Sequence, residues 1–261
     1  FPQHDSRLFR DASPHLPAEL GISELVFEFD HIINVAVMKT HMDCLVTLAM
    51  KNLKGCIRSE DKTAFRQGRD IDRAVVELNR LIRADVNIVD GTLGMEGIGP
   101  AAGRPASFGH VFASAHAPSL DAVAASAMGV GLEEARMLAL ARDGGMLEPD
   151  RIEIVGERLA DIRRRFERPD EAMRRELPGL RLQSEGACSG CKLNVVRALR
   201  DNVEKGIPVP DAPVCIGGTE PPCADAVRIG RCQRRFSGDG PFLGGCPPHL
   251  DGVREFLAGL R

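Results

Sequence analysis

Four cysteines near the C-terminus stand in glycine- and proline-rich breaks: Cys188-Ser-Gly-Cys191, Gly230-Arg-Cys232 and Gly245-Cys246-Pro-Pro248. Backbone of this kind lets thiolates converge on a metal, whereas a buried structural cysteine needs no such surroundings. One Cys-X-X-Cys pair followed by two further cysteines, the last before proline, suits an iron–sulfur cluster. The ligand set read from this pattern is Cys188, Cys191, Cys232 and Cys246 around one [4Fe–4S] cluster. Zinc is the rival metal, because four thiolates also close a tetrahedral site. Structural zinc usually takes two tight pairs, however, and a single Cys-X-X-Cys occurs here. A redox-active or inert set of thiols is the remaining reading. Cys223, after Pro221-Pro222, is the alternative to Cys232; Cys215, in Pro213-Val-Cys-Ile216, reads as buried core. Lys192, Arg231, Arg234 and Arg235 flank the ligands and would offset an anionic cluster, with ordinary surface charge as the plain alternative.

A second constellation lies in the N-terminal half. Lys39 and His41 leave the C-terminal end of a strand, where open α/β sheets place their ligand crevices. Thr47, Lys51 and Lys54 are spaced to share one face of a following helix. Together with Asn52 they are expected to hold a carboxylate or phosphate. Asp90 ends a second strand, Glu96 sits in a glycine-rich loop, and Asp121 lies in the helix after a third strand. The expected catalytic set is Lys39, His41, Asp90 and Glu96, and the expected ligand-binding set is Lys51, Asn52, Lys54 and Asp121. The plain alternative is solvated lysines and aspartates that cap turns and helices.

The elements that must position these residues are legible in the hydrophobic pattern. Asp30–Met38 reads as a buried strand after an irregular first stretch. Ile71, Ala74, Val75, Leu78, Leu81 and Ile82 repeat at helical spacing over 71–84. Val86–Val89 reads as a short strand ending at Asp90-Gly91, followed by a glycine-rich loop to Gly109 that lacks a P-loop or dinucleotide fingerprint. That loop is expected to be a flexible lid or a simple surface excursion. A strand over 110–115, a helix starting near Pro118, a helix over 133–142 and a strand over 152–155 follow. The run Arg163–Arg168 before Pro169 reads as a solvated helix end. Cys191 opens a helix carrying Val195, Val196, Leu199 and Val203, and a last helix carries Leu250, Val253, Phe256 and Leu257. Strand–helix alternation predicts an α/β fold with a mainly parallel sheet and flanking helices, plus a smaller C-terminal α/β iron–sulfur domain. The domains expected are 1–174 and 175–261.

Composition narrows the partners. The chain has 261 residues and a formal net charge of −3, so a broad basic face for nucleic acid is not expected. Trp and Tyr are absent, which removes the usual stacking and interface anchors. The eight cysteines do not form a dense secreted scaffold, and a reducing, cytoplasmic setting is expected. No apolar run is long enough to span a membrane.

The cysteine set also resembles the proximal-cluster motif of nickel–iron hydrogenase small subunits and the related respiratory complex I subunit. That resemblance covers the stretch from Cys188 onward, with the Cys191–Cys232 spacing compressed. It implies one [4Fe–4S] cluster on four cysteines in a flavodoxin-like domain, not hydrogenase activity. Residues ~25–165 resemble the domain of unknown function 362 family. The blocks that carry this resemblance are Ile33–His41 with its Lys-Thr-His, Val46–Gly55, Val89-Asp-Gly91 and Glu96–Pro100. Members are often joined to iron–sulfur ferredoxin modules and usually carry a substantial α/β segment before the Lys-Thr-His block. The resemblance therefore implies a first half that is missing, shortened or supplied by a companion chain.

The function expected is an iron–sulfur protein, either a redox enzyme acting on a small anionic substrate or an electron-transfer component acting on a redox partner protein. The rivals are a non-enzymatic electron carrier or assembly subunit, and a zinc-stabilised ligand-binding or hydrolytic protein.

Overall fold

The computed structural model describes residues 5–66, 70–218, 220–236 and 238–260. The chain forms two compact units, Phe1–Pro169 and Asp170–Arg261. The division falls just ahead of the expected 174/175 boundary. The fold is α/β, with one sheet in each unit that positions chemistry-bearing residues.

The first unit opens with an antiparallel pair, β1 (Ser6–Arg10) and β2 (Glu19–Ser23), where irregular chain was expected. A short helix, α1 (Leu25–Glu28), leads to the central strand β3 (Ile33–His41). β3 alternates rather than being buried throughout. Asn34, Ala36, Met38 and Thr40 point into the core, while Ile33, Val35 and Val37 lie on the outer face. β4 (Leu45–Thr47) turns back beside β3. β5 (Val86–Glu96) runs parallel to β3, and β6 (Arg104–Ala106) and β7 (His110–Ser114) both pair antiparallel with β5.

The first unit's helices are α2 (Ala49–Asn52), α3 (Asp61–Arg66), α4 (Ile71–Leu81), α5 (Ala117–Ala127), α6 (Arg136–Asp143) and α7 (Leu159–Ile162). α4 follows the predicted periodicity, burying Ala74, Val75 and Leu78, and starts where the Asp70 carboxylate accepts from the Arg73 N–H at 3.3 Å. Each fully buried Val or Leu contributes roughly 1.5–3 kcal/mol.

Three further expectations for this unit are corrected. β5 does not stop at Asp90-Gly91 but continues through the glycine-rich stretch to Glu96 and returns as β6. Glycine is what permits this: a Cβ at Gly91 would lie 2.9 Å from the His110 carbonyl oxygen, and one at Gly94 would lie 2.8 Å from that of Met38. Residues 152–155 form no strand. The basic run is also not a solvated helix end. Phe166 is fully buried, Arg164 binds Glu96 and the Ser107 carbonyl, and Arg168 binds the Gly129 carbonyl and Glu134.

The second unit begins with α8 (Pro169–Glu176). Its sheet contains β8 (Leu182–Gln183), β9 (Val214–Ile216), β10 (Val227–Ile229) and β11 (Phe242–Leu243), in the order β11-β10-β9-β8 and parallel throughout. α9 (Ser189–Glu204) and α10 (Leu250–Ala258) pack together through buried Val195, Val196, Leu199, Val253 and Leu257. Asp201 pairs with Arg254, and the Asn202 amide donates to the Arg254 carbonyl at 3.0 Å.

Candidate functional site

In a parallel sheet all strands end at one edge, and loops leaving that edge meet there. Cys188 and Cys191 follow β8, Cys232 follows β10, and Cys246 follows β11, so the topology delivers all four thiols to the same edge. Cys188 is the N-cap of α9 and Cys191 lies buried in its first turn. Cys232 sits in the 3₁₀ turn Arg231–Arg235.

The loops touch. A Cβ at Gly230 would sit 3.4 Å from the Cys191 Sγ, and one at Gly190 would sit 3.2 Å from Pro247 Cγ and 3.8 Å from the Cys188 Sγ. Gly230 has φ +98°, and glycine occupies that region without steric strain. The Arg231 N–H donates to the Gly245 carbonyl at 2.7 Å, and the Asn194 amide donates to that of Pro248 at 2.9 Å.

A hydrogen bond with Cys188 pushes the Cys191 thiol up in pKa, followed by burial and then by the charges of Cys188, Cys246 and Cys232. The four sulfurs therefore share one electrostatic neighbourhood. Among the described residues, no three His, Cys, Asp or Glu side chains already form a metal-ligand group.

Cys215 is fully buried on β9, as its sequence context suggests. Cys223 is exposed and precedes β10; its partners are Asp225 and Arg181, the latter just before β8. It therefore belongs to the opposite sheet edge, leaving Cys232 beside the other three. Arg231 and Arg234 are exposed, whereas Arg235 is held by the Gly218 carbonyl.

Two residues absent from the sequence reading organise this edge. Arg228, almost buried on β10, donates to the carbonyls of Phe236, Gly238 and Gly240 at 2.6, 2.9 and 3.1 Å, and so shapes the connection from Cys232 to Cys246. The Gln233 amide donates to the Gly217 carbonyl at 3.0 Å, pinning the turn that carries Cys232. An arginine on a short apolar strand was the available signal for the first. Nothing local marks the second.

In the first unit the structure brings only part of the predicted set together. Lys39 is half-buried, with Thr47 opposite it across the β3–β4 pair and Met95 on the β5 side. His41 is buried, and its Nδ1 accepts from the N–H of Asp43 at 3.0 Å and of Cys44 at 3.4 Å. The proton of a neutral ring is thereby assigned to Nε2. The β3 end is held against the loop after β5 by Met42 N–H donating to the Gly99 carbonyl at 3.1 Å and Thr40 Oγ1 to that of Gly97 at 2.8 Å.

Thr47, Lys51 and Lys54 do not share one helix face. Thr47 ends β4, α2 lasts a single turn, and Lys54 follows in a 3₁₀ turn. Lys51 is buried, and its ammonium donates to the Cys44 Sγ at 3.1 Å. Burial pushes the Cys44 thiol up to about 12 against the lowering effect of Lys51, and it also raises the Asp72 carboxyl, which hydrogen-bonds Cys44. Cys44 and Asp72 thus complete a buried group that the sequence pattern did not reveal, because they come from separate elements. Lys54 is lowered to about 8, first by burial and then by Arg66 and Lys51.

The remaining predicted residues are engaged elsewhere. The Asn52 amide donates to Asn34 Oδ1 at 2.8 Å and to the Val35 carbonyl at 3.0 Å. Asp121 is fully buried and accepts from the N–H of Ala49 at 2.8 Å and of Met50 at 2.9 Å, so it holds the start of α2; burial raises it to about 7. Asp90 accepts from the Thr92 N–H and hydroxyl, which lower it. Glu96 is buried between Arg104 at 3.1 Å and Arg164 at 3.3 Å, and accepts from the Glu167 N–H at 3.0 Å. Asp90 stands opposite Val37 on β3, and Glu96 follows Met95, which stands opposite Lys39.

Residues 3–126 match a domain of unknown function, DUF362. The chain is also similar to a thylakoid-associated protein of Synechocystis sp. (strain ATCC 27184 / PCC 6803 / Kazusa), with 33% identity over 109 residues. That alignment covers 40% of this chain and 34% of the relative. No solved structure matches the chain. No helix of the described residues is long and apolar enough to cross a membrane.

Proposed function

We propose that this is an iron–sulfur protein whose second unit holds one [4Fe–4S] cluster on Cys188, Cys191, Cys232 and Cys246. The observation that carries this reading is the meeting of the three cysteine-bearing loops at one edge of a parallel sheet, with glycine against the Cys188 and Cys191 sulfurs. A side chain at Gly230 would occupy space next to the Cys191 Sγ. The donor set is all thiolate, which suits iron–sulfur chemistry. A cluster bound there supplies one-electron transfer. The chain's own part is to fix four thiolates on rigid loops, with exposed Arg231 and Arg234 nearby as positive charge.

The partner in this reading is a redox protein that exchanges single electrons. That Asp90 and Glu96 are committed to other contacts favours an electron-transfer component over an enzyme. A redox enzyme acting on a small anion at Lys39 and His41 is the second reading, favoured by the half-buried lysine at a strand end. The cytoplasmic setting belongs to the same proposal.

Anaerobically purified protein is expected to be brown, to absorb broadly near ~400 nm and to hold about four irons per chain. A colourless protein loaded with zinc would overturn the reading. With iron bound, Lys39→Ala and His41→Ala separate the two versions. Electron exchange with an artificial acceptor that is unchanged in both variants supports the electron-transfer component. Loss of anion binding with the absorption intact supports the enzyme.

A further inference from the structure

A cavity in the first unit is lined by none of the residues of either constellation above. It measures about 620 Å³, and its walls include Arg80, Arg83, Arg151, His116, Ser119 and one carboxylate, Glu148. Arg80 is tied to the Gly144 carbonyl at 2.9 Å and to Glu77 at 3.4 Å, and Arg151 pairs with Glu148. Arg83 is exposed and has no carboxylate partner among the described residues. His116 caps α5 by accepting the Ser119 N–H on Nδ1, so its neutral ring carries the proton on Nε2 as a further donor. Burial and the charge of Arg83 both lower its pKa. The Ser119 hydroxyl donates to the same Nδ1 at 2.8 Å, so guanidinium groups and the imidazole Nε2–H form the donor set for an anion that accepts on several oxygens.

A second cavity of about 430 Å³ shares His116, Ser119 and Arg151 with the first. Its lining is mixed: Phe112, Leu120, Val123 and Ile152 form an apolar part, and Glu153 and Glu157 also line it. At its rim Ile154 is 48% exposed and Val155 is 96% exposed. Large apolar side chains so exposed on an irregular loop contribute nothing to the core, and they stand beside the apolar part of this lining.

We propose that these adjoining cavities bind an amphipathic organic phosphate, with its phosphoryl group among Arg83, Arg151 and His116 and its apolar body against Phe112, Leu120 and Ile152. A phosphoryl group offers three acceptor oxygens, more than a carboxylate can present to this set. A cavity of this size is far larger than a bare inorganic anion needs. The site shares no lining residue with the cysteine set or with Lys39 and His41.

Calorimetric titration of the full chain with n-octyl phosphate below its micelle concentration, inorganic phosphate and octanol tests the proposal. Octyl phosphate is expected to bind at least about tenfold more tightly than inorganic phosphate. Replacing Arg83 and Arg151 together (R83A with R151A) should weaken octyl phosphate by about tenfold or more. The paired variant I154S with V155S should narrow the gap between octyl phosphate and inorganic phosphate. Equal affinity for the two phosphates, binding indifferent to the arginines, or no binding of either would overturn the site. Sedimentation with vesicles of phosphatidic acid and phosphatidylcholine, without uptake of octyl phosphate, would make this loop a membrane contact and overturn it too.

Discussion

The thiols differ enough in setting to be told apart by reagent. Cys223 and Cys232 are exposed, while Cys44 is buried with its pKa near 12. In iron-free protein, an aromatic disulfide reagent at pH 8 should modify Cys223 and Cys232 first and Cys44 only on unfolding. Iron loading should protect Cys232 and leave Cys223 reactive, as peptide mass analysis would read. Protection of Cys223 instead would move the fourth ligand to the opposite sheet edge. Asp121 gives a pH prediction. Its ordinary value is 3.8 and the folded value is about 7, so between these the folded protein retains a proton that the unfolded chain has released. Its contribution to stability is therefore greatest below the lower value and declines as pH rises toward 7. Thermal unfolding from pH 4 to 7 should therefore shift less favourably with rising pH in the parent chain than in D121N, and equal pH dependence in the two would contradict the raised value.

At the scale of elements, what determines the cysteine edge is the loop between β10 and β11. Arg228 holds three carbonyls of that loop, and removing the guanidinium leaves acceptors without their donor. R228M is expected to cost about 2–4 kcal/mol in denaturant unfolding and to lower iron retention, although it touches no thiol. Iron content unchanged with stability lost would confine Arg228 to the fold. The same scale explains what could be read beforehand. The 71–84 periodicity predicted α4, and glycine before Cys232 and Cys246 predicted loops, because these are local signals. The continuation of β5 through its glycines was not local. It depends on the backbone of Met38 and His110 lying close enough to exclude a side chain.

For the whole molecule, cluster binding should act on one unit. Iron loading should slow amide exchange in the first turn of α9 and around Arg231–Arg235, and leave α4 and α5 in the first unit unchanged. Slowing spread evenly over both units would contradict a site confined to the second. The sequence by itself determined the α/β class, the strongest helices and the residues fit to ligate a metal, because composition and periodicity are properties of neighbours along the chain. Only the tertiary structure decided which of those residues meet. It put four cysteines at one edge of a parallel sheet and Cys223 at the other, buried Lys51 against Cys44, and fixed Glu96 between two arginines. It also drew Arg83, His116 and Arg151 around a cavity that no motif announces. Strand direction and packing make such meetings between residues far apart in the chain, and neither is written in the spacing of any one segment.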